Sequence, residues 1–210
     1  MPRTRYTGPL ALALTVAAVS LPAPAQETTA QEDPREVMTQ LCTSLFTALD
    51  RERPALRREP GRAVAVLEEL LAPRLDMEYT ARLVLGSRGR SAGPEQRQRF
   101  AHALYRSLLE TYAGSIVEWT PERLNILPLA ADPQALQVVV RTQVLRTDGT
   151  RVAVDYRLRR TAQGWKVFDV VVDGASYVRT WHDDLDMEIE ERGLEAATER
   201  LEKRSPPAAR

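Results

Sequence analysis

The sequence has few of the residues that enzymes, metalloproteins and nucleic-acid-binding proteins use. It contains one cysteine and two histidines among 210 residues, and aromatic residues make up only 6%. A single cysteine excludes an intramolecular disulfide, so the fold must be held together by its core. Lysine plus arginine and aspartate plus glutamate both total 29. This balance argues against a nucleic-acid-binding protein, which usually has a strong excess of basic residues.

Sequence motifs of common active sites are also missing. The chain has no His-Glu-x-x-His pair, no P-loop and no Cys-x-x-Cys. His102 lies within an amphipathic helical pattern, and His182 precedes Asp183 and Asp184. Adjacent residues on a helix do not converge on one point, so this triplet is a poor metal or catalytic site. We interpret both histidines as structural, interpret Cys42 as a small buried residue, and expect no catalytic residue and no metal.

The first 25 residues have the three parts of a secretory signal peptide. Arg3 and Arg5 precede an uncharged run from Pro9 to Leu21, and Ala23-Pro24-Ala25 supplies a small-x-small cleavage site. The run is shorter than the roughly 20 residues that a transmembrane helix needs. We therefore expect cleavage and export of a soluble, periplasmic protein. An uncleaved N-terminal anchor is the alternative.

The length and the composition of the remaining chain favour one folded domain. Apolar residues make up 43% of the sequence, enough for a hydrophobic core. Residues 26–34 are polar and are expected to form a disordered linker, and residues 204–210 a disordered tail. The domain is expected to span residues 35–203.

Helical periodicity dominates the chain before residue 118. The first apolar stripe contains Val37, Leu41, Leu45 and Leu49, with Met38 and Cys42 beside it. Pro54 and Pro60 are expected to interrupt this helix. Two shorter helices follow, the first ended by Pro73 and the second by Gly86. A longer helix is predicted from Pro94 to about Val117.

After residue 120 the apolar residues alternate, as they do in strands. Four strands are predicted, at about 124–127, 135–146, 151–160 and 165–172, and Asp148-Gly149 is typical of a hairpin turn. A helix follows from Tyr177 and is broken at Gly193. This order predicts an α+β domain with an antiparallel four-stranded sheet covered by helices.

The fourth strand is apolar on both faces. Regular alternation places Trp165, Val167, Asp169 and Val171 on one side and Lys166, Phe168, Val170 and Val172 on the other. A strand in an antiparallel meander normally has one solvated face. The second apolar face indicates an ordinary two-sided core, which the pattern alone favours, or the wall of a cavity. Asp169 is interpreted as structural, either paired with Arg157 or Arg159 or facing water.

Two stretches of the sequence resemble the MlaC/Ttg2D family, the toluene-tolerance Ttg2 proteins. The first shares Leu85, Gly86, Glu95, Gln96, Phe100 and Tyr112 with the family pattern, and the second shares Trp165, Asp169, Gly174, Ser176 and Val178. The resemblance covers about residues 35–203. Arg88 and Gly89 stand where an aromatic residue is common, and residues 177–186 are more acidic than usual. These departures affect partner contacts more than the fold.

The resemblance implies a phospholipid carrier rather than an enzyme, with no cofactor other than the bound lipid. Such a carrier moves lipid between an outer-membrane lipoprotein and porin complex and an inner-membrane ABC transporter that contains an MCE-domain protein. It maintains outer-membrane lipid asymmetry and is expected to be a monomer. The acyl chains would lie in a cavity between sheet and helices, and different head groups would be tolerated. The alternatives are a small hydrolase or isomerase with Asp169 or His102 as base, and a structural interaction protein with a dry core.

The expected lipid-binding residues are apolar and tyrosine side chains on the elements that would face this cavity. They are Leu83, Val84, Tyr105, Leu108, Tyr112, Val138, Val140, Val154, Tyr156, Phe168, Val170, Val172 and Tyr177.

The signal-peptide interpretation makes a direct prediction. The mature protein should begin at or near Gln26, because the Ala-x-Ala site ends at Ala25. N-terminal sequencing of periplasmic material from cells that express the full chain measures this. A chain that stays in the membrane fraction, or that begins far from Gln26, would contradict the prediction.

Overall fold

The computed structural model describes residues 32–130, 132, 134–146 and 148–203. The expected signal peptide and the expected C-terminal tail lie outside the described residues. Within them, the helices are α1 (Pro34–Arg58), α2 (Pro60–Leu71), α3 (Met77–Leu85), α4 (Pro94–Val117) and α5 (Tyr177–Lys203). The strands are β1 (Leu124–Ile126), β2 (Gln137–Leu145), β3 (Arg151–Thr161), β4 (Gly164–Val172) and β5 (Ala175–Ser176). The α+β prediction is confirmed.

The prediction that Pro54 interrupts the first helix is wrong, because α1 continues for four residues beyond it. A proline inside a helix costs about 3 kcal/mol. Burial of Leu56 between the helices in the last turn offsets part of this cost. The half-exposed ion pair of Arg57 with Glu118, at the end of α4, adds little. The helix then ends just before Pro60, as predicted.

The other predicted helix boundaries are close to those in the structure. The helix α4 begins at Pro94 and ends at Val117. Gly86 follows α3 with a φ of 51°, a conformation that glycine adopts at low cost. Gly193, with a φ of 83°, breaks α5 into two helical segments.

The five strands form an antiparallel meander in chain order, so the prediction of four strands is wrong by one. The additional strand β5 pairs with the end of β4 through a turn at Asp173-Gly174, where φ is 48° and 86°. Positive φ at both central residues is typical of a tight hairpin, for which Asp-Gly is a strong signal. Only two residues follow in β5, too few to show strand alternation.

The strand β4 contains a β-bulge, which makes the expected regular alternation wrong. Leu158 of β3 lies opposite Val167, and its β3 neighbour Arg157 lies opposite Asp169, so Phe168 between them has no partner on β3. Phe168 is therefore an extra residue, and every later side chain of β4 changes face. The inner face of β4 consists of Trp165 and Val167 before the bulge and Val170 and Val172 after it.

The helix α3 docks against the bulge. The Asp76 amide donates to the Val167 carbonyl at 2.8 Å, and the Thr80 hydroxyl donates to the Phe168 carbonyl at 2.7 Å. Tyr79 packs edge-on against the Phe168 ring, with 5.1 Å between the centroids. These contacts satisfy backbone groups at the edge of β4 that a neighbouring strand would otherwise bind.

The bulge also places Asp169 at the start of α5. Its side chain is almost completely buried and accepts hydrogen bonds from the Arg157 guanidinium at 3.2 Å, the Ser176 hydroxyl at 2.7 Å and the Val178 amide at 3.1 Å. The Ser176 oxygen accepts in turn from the Arg179 amide. Asp169 therefore caps α5 and pairs with Arg157, which confirms the structural interpretation.

The core consists of three clusters of buried side chains. Leu49 belongs to the cluster between α1, α2 and α4, and Phe100 to the cluster between α3, α4 and α5. Leu158 belongs to the cluster between the start of α1 and the inner face of the sheet. Val152 and Val154 are only 6% exposed, yet they belong to none of the three.

Replacement of Asp169 tests this account of the start of α5. Asp169→Asn places an amide N–H group against donors that now share a carboxylate, and it removes the charge that pairs with Arg157. We expect a loss of about 1.5–3 kcal/mol in the free energy of unfolding, the range for hydrogen bonds to a charged group, because the half-exposed Arg157 side chain leaves the ion pair screened by water. Urea denaturation measures it.

Asp155→Asn is the matched control. Asp155 lies on β3 and faces Arg141 at 3.9 Å, but it is partly exposed, so its loss should cost less than about 0.5 kcal/mol. Equal stability of the two variants would contradict the capping role of Asp169.

Candidate ligand pocket

A pocket of about 460 Å³ lies between the inner face of the sheet and the helices α1, α4 and α5. Its volume falls within the range of sites that bind small molecules, about 300–1,000 Å³. On the sheet side the wall consists of Val152, Val154 and Tyr156 of β3 and Val170 and Val172 of β4. The β4 side chains reach the pocket because of the bulge.

The opposite wall consists mostly of apolar side chains from the helices. The helix α1 contributes Met38, Leu41, Cys42, Leu45 and Phe46, and α4 contributes Ala101, Leu104, Tyr105, Leu108, Leu109, Tyr112, Ser115 and Ile116. Tyr177, Val178 and Trp181 come from the first turns of α5. Many of these side chains are half-buried because they face the pocket rather than other protein atoms. Such a lining favours an apolar ligand.

Three tyrosine hydroxyls give the apolar wall a few polar points. The Tyr177 hydroxyl donates a hydrogen bond to the Tyr112 hydroxyl across the gap between α4 and α5. The pKa of Tyr177 is raised, mainly by burial and to a smaller degree by this hydrogen bond. The buried Tyr105 hydroxyl has no hydrogen-bond partner among the described residues. Burial and, to a smaller degree, the nearby charge of Glu68 raise the pKa of Tyr105, so this hydroxyl stays protonated.

The charged residues of the lining differ in their surroundings. Asp169 is enclosed and bonded to three donors, so it is neutralised within the protein. Arg146, directly after β2, is exposed, and its guanidinium has no hydrogen bond or ion pair with any described residue.

Neither histidine lies in the pocket. His102 is on the surface of α4, 3.5 Å from a Glu68 carboxylate oxygen, and His182 bonds through Nδ1 to the Val84 carbonyl at 2.8 Å. His182 also packs on Gly86, where an added Cβ would come within 3.2 Å of its ring. The structural interpretation of both is consistent with these contacts. The part of the chain that the structure describes contains no group of three histidine, cysteine or acidic residues able to hold a metal ion.

Comparison with known proteins identifies the family. The model of the MlaC protein family matches residues 39–203. The chain belongs to the MlaC family. It is 26% identical to the toluene tolerance protein Ttg2D of Pseudomonas putida over 157 residues, covering 74% of this chain and 73% of that protein. It is 23% identical to the intermembrane phospholipid transport system binding protein MlaC of Haemophilus influenzae over 150 residues, covering 70% of each.

A solved structure resembles the fold of this MlaC-family chain. It is the phospholipid-binding protein from Ralstonia solanacearum in complex with a phospholipid, with a TM-score of 0.74 and 26% sequence identity. The similarity covers 83% of this chain and 97% of that one.

Nine of the thirteen residues expected to bind lipid line the pocket. They are Tyr105, Leu108, Tyr112, Val154, Tyr156, Phe168, Val170, Val172 and Tyr177. Their contact with a ligand stays a prediction.

The other four expected residues lie elsewhere. Val84 is packed between α3, α4 and α5, and Val138 and Val140 are covered by the first turns of α1. Leu83 is 36% exposed on α3. These placements depend on which element covers each side chain, which periodicity alone does not determine.

Sequence reasoning missed the contribution of α1 to the pocket. The stripe that contains Leu41 and Leu45 was correctly predicted, but it was assigned no part in the cavity. The width of the stripe with Met38 and Cys42 is ordinary for a helix that packs on a core, so the sequence carried no signal that distinguished a pocket wall. Cys42 is half-buried and lines the pocket.

The two departures from the family pattern contact each other. Arg88 pairs with Asp186 at 2.9 Å and with Glu190 at 2.6 Å, both on α5. These hydrogen bonds hold the pKa of the Asp186 carboxyl below its usual value. Asp186 belongs to the unusually acidic stretch 177–186, so one departure from the family pattern, Arg88, forms an ion pair with a residue of the other.

The environment of Cys42 predicts its reactivity. Burial raises the pKa of its thiol to about 11. Since the thiolate is the nucleophile, iodoacetamide at pH 8 should alkylate Cys42 about two orders of magnitude more slowly than an exposed cysteine with a pKa near 8.5. Mass spectrometry over time measures the rate. The matched control is the double variant Cys42→Ala, Ser44→Cys, since Ser44 is exposed on the same helix. Similar rates at the two positions would contradict the apolar environment of Cys42.

Proposed function

We propose that this protein binds one phospholipid molecule in the pocket through its acyl chains and carries it through the periplasm. The observation that supports this most directly is the long, almost entirely apolar lining contributed by both the sheet and the helices. Membership of the MlaC family and similarity to a phospholipid-binding protein in complex with a phospholipid support the same ligand.

The energetics of a lipid in water require such a pocket. Each methylene transferred from an apolar environment to water costs about 0.8 kcal/mol, so exposure of about thirty methylenes costs on the order of 24 kcal/mol. A carrier must therefore bury most of each chain. A nine-residue strand such as β4 spans roughly 30 Å, whereas one leaflet contributes only about 15 Å of hydrocarbon. The sheet is long enough to cover an acyl chain.

The proposed route joins the two membranes. We propose that the mature chain, after removal of residues 1–25, moves as a monomer between an outer-membrane lipoprotein and porin complex and an inner-membrane ABC transporter with an MCE-domain protein. In this role it would help to maintain outer-membrane lipid asymmetry. Among the described residues, no helix is long and apolar enough to cross a membrane.

The geometry does not favour the alternative of a small enzyme with Asp169 or His102 as base. The carboxylate of Asp169 already accepts three hydrogen bonds and holds the start of α5. His102 is on the protein surface, outside the pocket. Neither group is available to abstract a proton from a molecule in the pocket.

The central test is native mass spectrometry of the purified mature protein together with the variant Val154→Asp. We expect a lipid-sized mass on the wild-type protein and its loss from the variant, because an unpaired carboxylate in an apolar site costs several kcal/mol or takes up a proton. The melting temperature should fall less than for a close-packed site, since the emptied pocket can admit water.

Val139→Asp is the matched control. Val139 lies on β2 opposite Arg157, on the outer face of the sheet, and it is 36% exposed. The Val139→Asp variant should retain its bound lipid and should melt at the same temperature as the wild-type protein. Absence of any lipid from the wild-type protein would contradict the proposed function. Unfolding of Val154→Asp would instead assign Val154 to a dry core.

A further inference from the structure

The exposed residues of the pocket lining indicate where the pocket opens to solvent. Of the described residues that line it, only Ser115 and Arg146 are exposed; the others are buried or half-buried. Ser115 lies in the last turn of α4, and Arg146 directly follows β2. The exposed lining residues mark the mouth of a pocket whose interior is otherwise enclosed.

The chain path brings these two residues to the same end of the domain. The helix α4 ends at Val117, and a short connection leads to β1, whose first residue Leu124 lies opposite Val144 near the end of β2. Trp119 of this connection, Leu124 and Val144 also line the pocket, and all three are half-buried. The mouth therefore has a half-buried apolar rim, with Arg146 at its outer edge.

Arg146 is the single basic residue among the described lining residues. Its guanidinium has no hydrogen bond or ion pair with any residue that the structure describes. The nearby Asp148 carboxylate accepts hydrogen bonds from the hydroxyl and the amide of Thr150. These bonds and, to a smaller degree, the charge of Arg146 lower the pKa of Asp148. The other charge of the lining, Asp169, is neutralised by its own partners. Among the residues that the structure describes, the lining thus presents one positive charge without a hydrogen-bonded partner, and it does so at the mouth.

We infer that Arg146 binds the phosphodiester group of the glycerophospholipid whose acyl chains fill the pocket, with the Ser115 hydroxyl as a second possible donor. This inference rests on the proposed function. A lipid that enters with its chains inward leaves its phosphate at the mouth, beside Arg146. A guanidinium presents planar N–H donors that suit phosphate oxygens, and it forms charge-assisted hydrogen bonds with them.

This contact is compatible with tolerance of different head groups. The phosphate is common to all glycerophospholipids, whereas the head-group alcohol beyond it would project from the mouth into water. Arg146 would therefore distinguish a phospholipid from an uncharged diacylglycerol with the same chains, and it would not distinguish one phospholipid from another.

The experiment compares three lipids with identical acyl chains: phosphatidylglycerol, phosphatidylcholine and diacylglycerol. Delipidated mature protein, wild type or Arg146→Gln, is equilibrated with vesicles that contain each lipid, and the lipid bound is measured by mass spectrometry. The wild-type protein should bind both phospholipids about five- to tenfold better than diacylglycerol, the range expected for a partly exposed charge-assisted hydrogen bond. Arg146→Gln should lose this preference and bind diacylglycerol as the wild type does.

Arg151→Gln is the matched control, because Arg151 is exposed on the other strand of the same hairpin and does not line the pocket. It should behave as the wild type. An unchanged preference in Arg146→Gln, or an equal loss in Arg151→Gln, would overturn the inference while lipid binding itself remained. Failure of the wild-type protein to bind any of the lipids would overturn the proposed function instead.

A further arm distinguishes a lipid phosphate from free phosphate. Titration of the delipidated protein with inorganic phosphate, followed by the NMR signal of the Arg146 Nε–H group, should show no saturable binding at millimolar concentrations, because one exposed guanidinium needs the buried chains to hold its ligand. Saturable binding that Arg146→Gln abolishes would show an independent anion site and overturn the assignment to the lipid.

Discussion

The β-bulge at Phe168 is the local feature on which the pocket and its supports depend. It moves Val170 and Val172 to the inner face, where they line the pocket, and it moves Asp169 away from that face to the start of α5. If β4 alternated regularly through Phe168, the carboxylate of Asp169 would instead point toward the apolar inner face, where an unpaired charge is costly. One irregular residue thus separates the apolar wall from the polar group that anchors a helix.

Two buried or nearly buried carboxylates fasten helices to the sheet in the same way. Asp169 caps α5 and pairs with Arg157, and Asp76 accepts a bond from the Tyr79 amide of α3 and pairs with Arg159. Both arginines are on β3. Because α3 and α5 are held at their first turns by these polar contacts, the inner face of the sheet does not have to be filled with close-packed side chains to keep the helices in place.

The surface departures from the family pattern have a local explanation. Arg88 replaces the common aromatic residue, and it makes ion pairs with Asp186 and Glu190 of α5. An exposed ion-pair network contributes little stability per pair, but it links the turn after α3 to α5 by charge instead of by apolar packing. The negative charges of Asp186 and Glu190 on α5 are therefore balanced within the domain by Arg88.

Sequence patterns alone predict the α+β class, the boundaries of α4, the end of α3 at Gly86, the break at Gly193 and the alternation of β3, because each depends on local periodicity or on one residue with special backbone freedom. The resemblance of two short stretches was enough to indicate the family. Periodicity cannot encode that α1 continues through Pro54, that β4 changes face at Phe168, or that Val138 and Val140 are covered while Val154 lines a pocket. Each of these depends on which distant element lies against the residue. A side chain that lines a pocket and one that fills a core have the same apolar pattern in the sequence, and only the packing of α1 and α4 over the sheet distinguishes them.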